Sequence, residues 1–287
     1  MLKQATLLAS EVIKIIKRIR EMRKTIGNKH TERLMRLSVL GGAMMSIVPY
    51  GLHAAEIDLN DDWQMSVDTI LSYGSAWRVE SADEDNLLDP NADDGNRNFS
   101  TGLISNRASF LTDIEVSDGD KGVFLRVNGF YDGRYHNDTD HDQPGTYNSD
   151  PLYGGSADDS TSFTDDTVDQ HGQDVRLLDL FFYTGFSLGE RQGSLRVGRQ
   201  VVSWGESLFI QNSINSANPA DASKANVPGI EVKEILLPVN MLYGQLDLTD
   251  QLSMEAYYQF EWARTEIDAA GSYFSFSDCW MKVVKHC

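Results

Sequence analysis

The residues best suited to chemistry include histidines and carboxylates in one short stretch. His136, Asp138, Asp140, His141 and Asp142 fall within seven positions. Imidazole with carboxylate is a competent ligand set for a metal ion. Two Asp/Asn-rich runs, 83–95 and 158–169, offer oxygen ligands for diffuse Ca²⁺ contacts. Neither has EF-hand spacing or its terminal Glu. A solvated polar loop is the simpler reading of all three, and no metal ligand is assigned. G-x-S-x-G, H-E-x-x-H and P-loop patterns are missing from the sequence. No catalytic residue and no cofactor follows, and the chain is not expected to be an enzyme.

A second set is purely ionic. Arg196, Arg199 and Glu206 sit in the stretch Leu195–Leu208, LRVGRQVVSWGESL. Arg126, Arg134, Asp132 and Glu255 sit in other segments. Charged side chains of this kind can line a constriction. They can equally pair with one another to satisfy charges inside a wall.

The elements that must position these residues alternate with period two. In Trp63–Val79 the odd positions read Trp, Met, Val, Thr, Leu, Tyr, Ser, Trp, Val, and the even positions are mostly polar or small. Val123–Tyr135 puts Val123, Leu125, Val127, Gly129, Tyr131, Gly133 and Tyr135 on one face, opposite Arg126, Asp132 and Arg134. Leu252–Arg264 repeats the pattern, with Met254, Tyr258 and Trp262 opposite Glu255. Segments 103–116, 175–188, 194–203 and 235–248 are weaker members. Such alternation predicts strands with one face in an apolar medium. These strands are longer than the 5–6 residues usual in globular proteins and suit a tilted membrane crossing of about 9–11. Pro238 lacks a ladder donor, which predicts a bulge or a strand start there.

The connections alternate in length. SDGDKG (117–122), GERQG (189–193) and LTDQL (248–252) read as tight turns. The intervening links 80–101, 136–173 and 205–234 are long. Short turns at one end and long loops at the other are the layout of an outer-membrane barrel. Trp63, Trp77, Tyr131, Tyr135, Tyr258 and Trp262 would then form interfacial girdles. Backbone groups in lipid find partners only if the sheet closes, and the smallest bacterial barrels use eight strands. Seven strands are visible, so the expected fold is all-β: a long antiparallel meander of an incomplete transmembrane barrel, preceded by a helical signal segment.

Composition agrees once it is divided. The 287 residues carry a net charge of −18. Residues 1–36 hold ten Lys/Arg and three Asp/Glu, while the rest hold 15 basic and 40 acidic residues. An acidic body argues against nucleic-acid binding. Leu37–Val48 is an uncharged apolar run behind Arg33 and Arg36, ending near Ala54-Ala55. That is the pattern of a secretory signal peptide, and it is short of the roughly 20 residues of a spanning helix. Residues 1–30 form a basic amphipathic helix or reflect an early start codon. Cys279 and Cys287 both lie in the tail, which leaves the body with no disulfide framework.

The stretch with Gly198, Arg199, Gln200, Trp204, Gly205, Glu206 and Ser207, followed by Asn218, Pro219 and Asp221, resembles the DUF1302 family of proteobacterial secreted proteins. The resemblance runs from about Glu56 to Asp278. It implies a large outer-membrane β-barrel similar to porins and hydrophobic-substrate channels, with passage of apolar or lipid-like compounds. It also implies outer-membrane lipid, lipopolysaccharide, the barrel assembly machinery and a resistance-nodulation-division (RND) transporter system as partners. Three regions follow: an extension with signal peptide at 1–54, a barrel portion at 55–278, and a tail at 279–287 that breaks the alternation. Family members are about twice as long, so a truncated or frameshifted copy is expected. The alternatives are a secreted soluble β-sheet protein, binding or adhesin-like, and a non-functional fragment.

Overall fold

A computed structural model describes residues 55–89, 92–141, 148, 160–204, 217–227 and 230–278. The signal segment and the tail lie outside them. Eight strands form one sheet in sequential order. They are β1 (Ala55–Asp58), β2 (Gln64–Arg78), β3 (Gly102–Ser117), β4 (Lys121–Asp132), β5 (Gln173–Leu188), β6 (Arg191–Gln200), β7 (Val239–Thr249) and β8 (Leu252–Gln259). Every neighbouring pair is antiparallel. Among the described residues β1 pairs only with β2 and β8 only with β7, so the sheet is an open meander. No described helix is long and apolar enough to cross a membrane.

The strand expectations hold for seven segments, and β1 is the eighth. Turns fall at Asp118–Asp120, Gly189-Glu190 and Asp250-Gln251, inside the three expected motifs. β7 starts at Val239, directly after Pro238, because proline has no N–H to give a ladder.

Period two becomes two chemically distinct faces. One cross-strand row reads Ile57, Met65, Val116, Val123, Phe182, Val197, Leu242, Tyr258 from β1 to β8. All eight are apolar or aromatic. The adjacent row, one residue along and on the opposite face, reads Asp58, Gln64, Ser117, Gly122, Tyr183, Arg196, Tyr243, Tyr257. The first face stays uncovered: Leu71, Tyr73, Trp77, Tyr258 and Trp262 are each more than 60% exposed. We call it the outer face and its opposite the inner face.

The described parts of the long connections form a packed cap at one end. Phe99, Ile104, Tyr135 and Phe163 form its core, with Tyr273 of the segment after β8 against them. Phe99 meets Tyr135, Phe163 and Tyr273 at ring distances of 5.7, 5.5 and 5.4 Å. Asn98 is fully buried and donates its carboxamide to the Gly271 carbonyl at 2.8 Å. Two expectations are corrected here. Tyr135 is a cap core residue and not a girdle aromatic, because the chain leaves the sheet at Gly133 in a single 3₁₀ turn. The link 136–173 is not simply a solvated loop, since His141, Phe163, Thr164 and His171 are buried within it.

Candidate functional site

The inner face carries charges in contact across strands. Arg126 on β4 grips Asp113 on β3 through two bonds, Nε to Oδ1 at 2.7 Å and Nη2 to Oδ2 at 2.8 Å. Its Nη1 donates to Asp179 on β5 at 3.3 Å. A bulge opposite Leu125 and Val127 adds a residue to β5, and both Leu178 and Asp179 become buried there. Planar guanidinium against carboxylate is the strongest pairing geometry available to these side chains. Nearer the cap, Arg176 meets Asp174, Asp221 and Glu266 at 3.2, 3.3 and 2.9 Å. Glu234 accepts from Asn128 at 3.1 Å, and Lys233 lies 3.9 Å from Asp113. The connection between β6 and β7 therefore reaches down onto the inner face.

Aromatic rings fill the space between these charges. Phe124 stacks on Phe181 at 5.3 Å. Arg107 lies 3.4 Å over Phe130, and Arg196 lies 4.2 Å over Tyr243. Tyr183 donates to Glu115. Cation–π contacts keep the guanidinium groups solvated by rings where water is scarce.

The described residues that carry the family resemblance lie in β6 and in the connection from β6 to β7. Asn218 accepts from the Val202 N–H at 2.9 Å and donates to the Gln200 and Leu237 carbonyls at 3.2 and 3.0 Å. One side chain thus joins the exit of β6 to the entry of β7. Pro219 offers its carbonyl to Leu237 N–H at 2.8 Å. Asp221 takes Arg176 and the Ser223 hydroxyl, and Lys224 sits 3.7 Å away. Burial lowers the pKa of Lys224, with Asp221 opposing that shift. Gln200 is fully buried and donates to the Met241 carbonyl at 3.1 Å. Gly198 has φ +132° and passes so close to β5 that a Cβ would lie 2.4 Å from the Leu180 carbonyl oxygen. Trp204 packs on Tyr257 at 5.1 Å.

The ionic candidates divide. Arg126, Arg196 and Glu255 share the inner face. Tyr243, hydrogen-bonded to Glu255, stands beside Arg196. Arg199 does not join them. It lies on the outer face opposite Asn240, donates to the Leu178 carbonyl at 3.1 Å and meets Glu261 at 3.6 Å. Residues three apart in a strand cannot share a face. Gly205, Glu206 and Ser207 lie outside the described residues. Asp132 accepts from the Ser105 hydroxyl and from the Asn106 and Arg134 N–H groups. Arg134 donates to the Asp138 and Asn98 carbonyls at 2.8 and 3.0 Å. Both serve the cap.

The histidine–carboxylate stretch does not converge on one point. His136 stacks on Tyr131, Asp140 accepts from Ser100, and His141 meets Asp94 at 2.7 Å. Asp142 lies outside the described residues. A different group does converge: Asp93, Asp94 and Asp278 bring one oxygen each within 4.8 Å of one another. Burial and the neighbouring Asp94 and Asp93 charges push the Asp278 carboxyl up to about 7. Elsewhere in the cap, burial raises Asp268 to about 6 and lowers His171 to about 3. Sequence reasoning missed Asp113, Asp179 and Arg176. Asp113 was accessible to it, because it alternates with Thr112 and Ile114 in a strand whose other face is apolar.

Comparison with known proteins adds one finding. The family model described as Protein of unknown function (DUF1302) matches residues 35–284. That span starts before and ends after the 56–278 read from the motifs. Neither the curated proteins nor the solved structures give a match. The chain belongs to the DUF1302 family.

Proposed function

We propose that this protein is an outer-membrane β-barrel protein, porin- or channel-like, that passes apolar or lipid-like compounds. The observation that supports it is the apolar row running unbroken across the eight described strands, with Ile57, Phe182, Val197, Leu242 and Tyr258 exposed and the other three half-buried. Soluble proteins rarely leave a contiguous apolar surface of that extent facing water. Lipid is the solvent that matches it, and a charged, aromatic inner face matches a lumen. In the membrane the free edges of β1 and β8 close, against each other or against further strands, because lipid offers no hydrogen bonds. The apolar cargo rests on the resemblance to hydrophobic-substrate channels and on the inner-face rings Phe124, Phe181, Tyr183 and Tyr243. Lipid and lipopolysaccharide on the outer face, delivery by the barrel assembly machinery, and coupling to an RND-type transporter complete the proposal.

Fractionation tests it. The protein is expected in the outer-membrane fraction, resistant to carbonate extraction, with heat-modifiable migration on gels. Recovery as a soluble periplasmic protein overturns it and favours a secreted binding protein. Uptake of apolar dyes into proteoliposomes then tests the channel step.

A further inference from the structure

We propose that Arg107 anchors a binding site for an apolar carboxylate, in the cavity between the inner face of β3 and the cap. Arg107 is 7% exposed, yet its buried Nε has no hydrogen-bond partner. A buried guanidinium is ordinarily paired, because its charge and its N–H groups are costly to leave unmet. The Phe130 ring lies 3.4 Å from the guanidinium carbon and covers one face of it. A ring there offsets part of the charge and accepts none of the in-plane N–H groups.

The carboxylates whose charge reaches Arg107 are committed elsewhere. Asp132 stands directly across the β3–β4 ladder from it. The Asp132 oxygens instead take the Ser105 hydroxyl and the Asn106 and Arg134 N–H groups, which set the turn into the cap. Asp221 takes Arg176, Ser223 and Lys224. Glu234 takes Asn128 and the Glu231 N–H. Among the described residues, none of these three forms an ion pair with Arg107.

The guanidinium lines a cavity of about 40 Å³. A water needs roughly 10–15 Å³ of such space, so a group of about three heavy atoms fits. A carboxylate is such a group, and a guanidinium binds it through two parallel N–H bonds. A phosphate exceeds that room. Tyr135 lines the same cavity, and its hydroxyl accepts from the Tyr273 N–H at 3.4 Å and has its own proton to donate. Ile104, Val227 and Phe274 supply apolar walls. Asn226 and Phe274 are exposed, so the cavity opens to the surface beside them. The charged head therefore sits on Arg107 and Tyr135 while a hydrocarbon tail leaves past Val227 and Phe274. The inference stands on this cavity and not on a membrane crossing, so recovery as a soluble protein would leave it intact.

The test uses the folded full chain, titrated calorimetrically with sodium octanoate against a protein-free blank. Octanamide has the same chain and no charge, and acetate has the charge and no chain. Both run in parallel with inorganic phosphate. Saturable binding of one octanoate per chain is expected, about tenfold or more tighter than any of the three. Arg107→Gln should weaken it by about tenfold or more, the loss of a charge-assisted pair. Arg191→Gln, at the turn end of β6 and paired with Asp250, should leave it unchanged. Val227→Trp guards against an Arg107 variant that does not fold: it sits at a half-buried position, leaves Arg107 in place and fills the path of the tail. It should weaken octanoate severalfold. Absence of saturable octanoate binding, equal binding of any of the three other compounds, equal loss in Arg191→Gln, or unchanged affinity in Arg107→Gln or Val227→Trp overturns the proposal.

Discussion

Asn218 donates its side-chain N–H to the Leu237 carbonyl at 3.0 Å, across the gap between the exit of β6 and the entry of β7. The same carboxamide holds Gln200 and Val202. Asn218→Ala leaves the buried Val202 N–H without a partner and releases two carbonyls. We expect a loss of at least about 3 kcal/mol, at about 1–3 kcal/mol for each of the three buried groups left unmade. Urea unfolding measures it. A loss below about 0.5 kcal/mol, in the range of an ordinary surface change, would mean that water replaces the side chain.

Gly198 and Gly119 separate two costs of adding a methyl. Both have positive φ, +132° and +94°. A Cβ at Gly119 meets nothing within 4 Å, whereas one at Gly198 lies 2.4 Å from the Leu180 carbonyl oxygen. Gly119→Ala should cost about 1 kcal/mol for backbone strain alone. Gly198→Ala should cost at least about 3 kcal/mol, because β5 and β6 must also move apart. Equal losses in the two variants would refute the close-approach argument.

His171 and Asp268 titrate in opposite senses within the cap. His171 is held neutral at about 3, below its unfolded value of 6.5. Its contribution is complete above pH 6.5 and is lost as pH falls towards 3, at up to about 1.4 kcal/mol per pH unit. Asp268 is raised from 3.8 to about 6. Its contribution is complete below about pH 4 and is lost as pH rises to 6. The two slopes oppose each other between pH 4 and 6. His171→Gln should therefore make stability, relative to the unmodified protein, rise on acidification through that window. Asp268→Asn should make it fall. Unfolding free energies from pH 4 to 7 decide this, and slopes of the same sign in both variants would exclude it.

Legibility tracked how local the cause was. Val123–Tyr131 announces its faces by alternation, and the structure keeps them. Tyr135 continues the same alternation but has left the strand. The Asp132 carboxylate accepts the Arg134 N–H at 3.0 Å and turns the chain, a cue that period counting overrides. β1 escaped notice because AEID is too short to show a period. Arg196 and Arg199 read as one set by charge, yet an odd spacing sends them to opposite faces. Asp278 and Asp94 could not be associated at all, because only the packing of the cap brings them together. Asn218, Pro219 and Asp221 were recognisable as parts of a pattern, but their role as a hydrogen-bonded strap appears only with Leu237 and Arg176 in place.

Val197 offers a direct test of what the outer face touches. It stands between Phe182 and Leu242 in the apolar row and is 40% exposed. Arginine there has room to point away from the sheet. In water such a surface change should stay within about 0.5 kcal/mol. Near the midplane of a bilayer it should cost roughly 2–4 kcal/mol, because the charge has no partner in hydrocarbon. Val197→Arg should therefore destabilise the protein folded into liposomes and leave the membrane-free protein unchanged. Comparing the two unfolding free energies of one variant cancels any effect of arginine on the strand itself. A similar small change in both settings would show that lipid does not cover this face. A large loss in water would instead reveal a protein partner or packed core at Val197.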